Sequence, residues 1–80
     1  MRIDKYLKNS RLIKRRAVAK DACDQGKISV NGKIAKAGTE VQVGDRIELD
    51  FGVKKLVVEV TSLTEHVTKE ASKEMFRELI

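Results

Sequence analysis

The stretch "RLIKRRAVAKDACDQGKISVNG", residues 11–32, carries two structural signatures in immediate succession. From after Ser10 to Gln25 the chain has good helix formers and neither Gly nor Pro, and Gly26 supplies the residue that commonly ends a helix. Ile28 and Val30 then alternate around Ser29 and run into Asn31-Gly32. That dipeptide is the strongest short hairpin signal, because a type I′ turn needs positive φ at both central positions. A helix feeding directly into a β-hairpin predicts a small α+β fold.

Upstream, "RIDKYLKNS" places Ile3, Tyr6 and Leu7 at helical spacing, which predicts a first short helix. In the second helix Val18 and Ala22 are four apart and are expected to face a core with Leu12 or Ile13. Arg16 and Lys20 fall on another stripe, with Arg15 beside them. Downstream, a "VGD" turn at Val43 to Asp45 precedes a half-buried strand. Ile47, Leu49 and Phe51 point one way there, and Glu48 and Asp50 the other. Gly52 breaks this strand, and "KKLVVEV" supplies another with Leu56, Val58 and Val60 inward. From Thr68 onward Ala71, Met75 and Leu79 recur every fourth residue among mixed charges, which predicts a terminal helix. The expected architecture is two short N-terminal helices packed on a small, mostly antiparallel sheet, plus a C-terminal helix.

At 80 residues the chain is expected to be one domain with a modest core. No proline, low-complexity stretch or repeat suggests a linker between two units. The formal net charge is +5, and it is unevenly placed. Residues 1–36 carry eleven Lys/Arg against three Asp/Glu, while residues 37–80 carry six against nine. A surface built only for solubility intersperses both signs, so the basic half is expected to face a polyanion.

Catalysis finds little support. His66 is the only histidine, sits in an expected loop, and has Glu65 as its one adjacent carboxylate, so it reads as an exposed structural residue. Cys23 stands alone and reads as a small buried thiol, with no disulfide framework and no metal quartet. The five glycines punctuate turns singly and form no phosphate loop. No catalytic residue, metal or cofactor is expected. Without a signal peptide or a run approaching 18 apolar residues, the protein is expected to be cytoplasmic and free of membrane.

The basic set is concentrated. Arg2, Lys5, Lys8, Arg11, Lys14, Arg15, Arg16 and Lys20 lie within nineteen residues, opposed only by Asp4. A solvated face explains a few lysines but not four arginines, whose planar guanidinium donates in pairs to phosphate and stacks on bases. Asp4 either orients Arg2 or another neighbour by a salt bridge, or serves as an acid near a helix N-terminus, where the dipole favours it. Two short helices also fit a DNA-reading helix-turn-helix. The start of the second helix, however, is nearly all Lys and Arg, which suits phosphates better than base edges. RNA, recognised through backbone and unpaired bases, is modestly favoured.

Taken together, "MRIDKYLKNSRLIKRRAVAKDACDQGKISVNGKIAKAGTEVQVGDRIEL" resembles the RNA-binding domain first seen in ribosomal protein S-four. The matching pattern is a helix, an R-L-x-x-S/K-R-like opening of a second helix, a G-x-I/V-x-V/L-N-G hairpin and a V-x-x-G-D turn. The resemblance covers about residues 1–60 and implies an RNA-binding domain there, with residues 61–80 as a helical extension. It is strongest to stand-alone bacterial members that act in ribosome quality control, relatives of the ribosome-associated heat-shock protein. Their implied role is binding rRNA and tRNA on an obstructed large ribosomal subunit and assisting the tailing of the stalled chain, beside a tailing factor. Carried over, Arg2, Arg11, Arg15 and Arg16 are expected to contact RNA phosphates, Lys8, Lys14 and Lys20 to extend that surface, and Asn31 and Lys33 to bring the hairpin to it. Ribosome assembly or regulation of a message shares the same chemistry.

Overall fold

The computed structural model describes residues 1–64 and 68–79, so His66 and its neighbour Glu65 lie outside the described residues. Its elements run α1 (Ile3–Asn9), α2 (Arg16–Asp24), β1 (Ile28–Val30), β2 (Lys33–Ile34), β3 (Arg46–Asp50), β4 (Lys55–Val60), α3 (Lys69–Ser72) and β5 (Phe76–Glu78). The strands form one antiparallel sheet in the order β2-β1-β3-β4-β5. Period-two alternation fixes its register. Val30 pairs with Ile47 and Ile47 with Val58, while Ile28 pairs with Leu49 and Leu49 with Leu56, so one face is apolar. That face joins Ile3, Tyr6 and Leu7 of α1 and Ala19 and Cys23 of α2 in a single core.

The hairpin reading holds in detail: Asn31 has φ 52° and Gly32 φ 85°, the left-handed pair that a type I′ turn requires. The second helix is shorter than its sequence predicts. It begins at Arg16 instead of after Ser10, because α1 ends at Asn9 and Arg11 adopts φ 62°. This reversal tucks Ile13 back onto α1, where its N–H donates to the Leu7 carbonyl at 3.1 Å. The later start rotates the buried stripe onto Ala19 and Cys23. Val18 is consequently 51% exposed and does not belong to the core, although Ala22 packs partly against it. Phe51, expected to point inward with Ile47 and Leu49, lies just beyond β3 and is also exposed.

The terminal helix is a single turn, and it does not continue through Leu79. Thr68 caps it through its side-chain oxygen, which accepts the Ala71 N–H. After Ser72 the chain turns through Met75 and then runs along the open edge of β4, pairing Val60 with Phe76, Glu59 with Arg77 and Val58 with Glu78. Local helical spacing competes there with ladder hydrogen bonds and with burial of Met75, and the tertiary contacts win. The Tyr6 hydroxyl donates to the Met75 carbonyl at 2.6 Å, joining α1 to this last segment.

Candidate nucleic-acid interface

The basic surface is organised by the start of α1. Arg2, the residue preceding the helix, provides no side-chain cap. The first amides are instead satisfied by the loop after β2: the Ile3 N–H donates to Thr39 O at 2.8 Å and the Asp4 N–H to Ala37 O at 3.4 Å. Arg2 also forms a β-bridge with Glu40. Its guanidinium lies across Gly38, about where a side chain there would reach: a Cβ on Gly38 would stand 3.9 Å from Arg2 Nε.

Asp4 then ties two helix starts together. It is only 3% exposed, and its Oδ2 sits 3.3 Å from Arg2 Nη2 and 3.3 Å from Arg16 Nε. Its Oδ1 accepts the Lys5 N–H at 2.7 Å and faces Arg16 Nη2 at 3.5 Å. A carboxylate so buried is stable when paired and hydrogen-bonded, and here it is both. Both sequence readings of Asp4 are realised, since it stands in the first turn of α1 as well as bridging cations. The salt bridge to Arg16, twelve residues on, is the part that local sequence does not display. Each arginine side chain keeps about half its surface open to solvent. The result is two half-exposed arginine side chains held on one carboxylate.

The other expected residues are spread over several elements. Lys8 is exposed in the last turn of α1, where a cation complements the helix dipole. Arg11, Lys14 and Arg15 are exposed in the loop between α1 and α2, not on a helix. Lys20 is exposed one turn beyond Arg16 on α2. Lys33 is exposed in the edge strand β2, directly after the turn.

Asn31 differs from these. Its Oδ1 accepts the Arg46 N–H at 2.9 Å, and its Nδ2 donates to Asp45 Oδ1 at 3.2 Å. Its own N–H donates to Arg46 O at 2.8 Å. The side chain is thereby engaged in clamping the hairpin turn to the loop before β3.

Burial pushes the Cys23 thiol up to about 11, with Asp4 and Asp24 adding to the shift, so it is a protonated core residue. Among the described residues no group of three or more His, Cys, Asp and Glu is placed to hold a metal ion. No helix among them is long and apolar enough to cross a membrane.

Residues 1–47 match the family model described as S4 domain. A protein of Halalkalibacterium halodurans named RQC P-site tRNA stabilizing factor is 53% identical over 76 residues, covering 95% of this chain and 86% of that protein. A Bacillus subtilis protein of the same name is 49% identical over 76 residues, covering 95% and 88%. The trimeric structure of Vibrio cholerae Heat Shock Protein 15 superimposes with a TM-score of 0.91 at 26% identity, over 99% of this chain and 81% of that one. With these matches in sequence and in fold, the chain belongs to the S4 domain family, among the bacterial proteins that carry the name RQC P-site tRNA stabilizing factor.

Proposed function

We propose that the protein is a non-enzymatic RNA-binding factor of ribosome quality control, which grips P-site tRNA and rRNA together on an obstructed large ribosomal subunit. The observation that carries this reading is the Asp4 bridge, which presents Arg2 and Arg16 as one prearranged double fork within the basic half of the chain. Arg11, Lys14 and Arg15 in the adjoining loop, with Lys8 and Lys20, extend the grip along phosphates. Asn31 serves by fixing the hairpin, and Lys33 contributes its charge beside it. The names of the relatives supply the ligand, P-site tRNA. Holding that tRNA while the stalled chain is extended, next to a tailing factor, is the role in the cytoplasm that fits a small protein with a charged face and a solid core.

Binding to purified large subunits carrying peptidyl-tRNA, measured at matched salt, tests this reading. Arg2→Ala and Arg16→Ala should each weaken association while the far-UV signature of the fold stays unchanged, with a thermal stability loss on the order of 1 kcal/mol from the lost pairing of Asp4. Because counterion release sets the salt dependence, each loss should also flatten the slope of log K against log salt by about one unit. Parent-like binding by both variants would rule out the arginine pair as the grip. Capture of free message instead of tRNA-loaded subunits from stressed cells would point to regulation.

A further inference from the structure

Asn31, Gly32, Gly44, Arg46 and Glu48 line an open cleft of about 390 Å3, a volume inside the roughly 300–1,000 Å3 range of small-ligand sites. Its walls are pinned. The Asn31 clamp ties the hairpin turn to Asp45 and Arg46, and the Gly44 N–H donates to Val60 O at 2.8 Å. The lining glycines have φ 85° and 96°, a backbone conformation that L side chains rarely adopt.

The polar lining has two unlike ends. Arg46 pairs in register with Glu59, but Glu59 is engaged by Arg77, and the Arg46 guanidinium makes no ion pair among the described residues. Glu48, two residues along the same strand and on the same face, holds Lys55 only loosely, with Nζ 3.4 Å from Oε2. Such an exposed pair is readily opened. Arg46 thus offers donors to an anion, and Glu48 offers acceptors to a pair of N–H groups.

We propose that this cleft takes one unpaired guanine nucleotide of the bound RNA, with its phosphate on Arg46 and the N1–H and N2–H edge of its base on the Glu48 carboxylate. Guanine alone among the four bases presents two adjacent donors on its Watson–Crick edge, which a carboxylate accepts side by side. Unpaired bases displaying that edge are what sequence-selective RNA binders commonly read. The cleft shares the Asn31-Gly32 turn with the hairpin that carries the exposed Lys33, and Arg46 and Glu48 lie on the sheet face opposite the one that packs against the helices. The proposal rests on the RNA-binding reading above and adds a specific base to it.

Amide spectra of the 15N-labelled protein titrated with short single-stranded RNAs containing one guanine, or uracil in its place, test the idea. The guanine strand should shift the amides of Gly32, Gly44, Arg46 and Glu48 and bind more tightly than the uracil strand. Arg46→Ala leaves the Asn31 clamp intact, because that clamp uses the backbone of Arg46, and should weaken guanine-strand binding roughly five- to tenfold. Glu48→Gln should erase the preference for guanine. Equal binding of both strands, or shifts confined to α1 and α2 with Arg46→Ala binding like the parent, overturns the cleft assignment and leaves the arginine grip standing. If neither these RNAs nor tRNA-loaded subunits bind the parent, the RNA-binding reading falls and takes the cleft with it.

Discussion

Asp4 and Arg16 are separated by twelve residues and a loop, yet Arg16 Nε lies 3.3 Å from Asp4 Oδ2 and thereby locks the start of α2 against the start of α1. The same oxygen holds Arg2 at 3.3 Å, so one buried carboxylate sets the directions of two exposed guanidinium groups. Asp4→Asn keeps the size of the side chain but removes the charge and turns an acceptor into a donor. The variant should stay folded, losing on the order of 1 kcal/mol, since both arginines are half exposed and the pairs are screened. Affinity for tRNA-loaded large subunits should fall several-fold even though the net positive charge rises. Tighter binding in the variant would mean that total charge, and not the orientation of the pair, governs the interface.

The Asn31 clamp makes a second prediction. Asn31→Ala loses the hydrogen bonds to Asp45 and Arg46 and keeps a β-carbon at φ 52° without the short polar side chain that makes asparagine tolerant of that region, so it should cost about 2–3 kcal/mol by chemical denaturation. Asn31→Gly accepts the backbone conformation and loses only the hydrogen bonds, so it should cost less, about 1–2 kcal/mol. The order of the two losses separates backbone strain from side-chain clamping. A glycine variant as stable as the parent would show that the clamp contributes nothing.

These two residues also mark how far the sequence could be read. Strand alternation, the Asn31-Gly32 turn and the helix end at Gly26 depend on neighbours within a few positions, and they appear where the pattern puts them except at Phe51, which falls past the end of β3. The start of α2 depends on how Arg11 reverses the chain so that Ile13 returns to α1, a tertiary event, and helical spacing alone placed Val18 inward in error. Residues 76–78 form a strand because β4 has an open edge to fill, which no local propensity records. The basic cluster was visible as composition. Its organising carboxylate was visible only as an isolated acid, because the partner that gives it meaning comes from the next helix.

Tyr6 offers a test of how the last segment is attached. Its buried hydroxyl donates to Met75 O, which also accepts the Thr61 and Ser62 N–H groups. Burial raises the Tyr6 hydroxyl well above its ordinary value, so it remains a donor throughout the physiological range. Tyr6→Phe deletes the donor and leaves the carbonyl satisfied by two amides, so the loss should be modest, about 1 kcal/mol. Hydrogen exchange should nonetheless quicken at the β4–β5 amides. A global loss of several kcal/mol without local change at β5 would contradict this assignment.

Cys23 links stability to pH with a definite sign. Its thiol is raised from an ordinary value of 9.0 to about 11, first by burial and then by the nearby charges of Asp4 and Asp24. Between those two values the unfolded chain has released the proton and the folded chain has kept it, so the folded state binds more protons and stability falls as pH rises. The contribution is complete below pH 9 and lost progressively between pH 9 and 11, by about 2–3 kcal/mol in all. Tyr6 adds a loss of its own only above about pH 10, where an unfolded tyrosine ionises. Urea unfolding of the parent and of Cys23→Ala at pH 8, 9 and 10 isolates the thiol. The parent should lose stability between pH 9 and 10 more steeply than the variant, and native Cys23 should react slowly with maleimide at pH 7 and quickly once unfolded. Parallel curves for the two proteins would show that the thiol is not held protonated in the core.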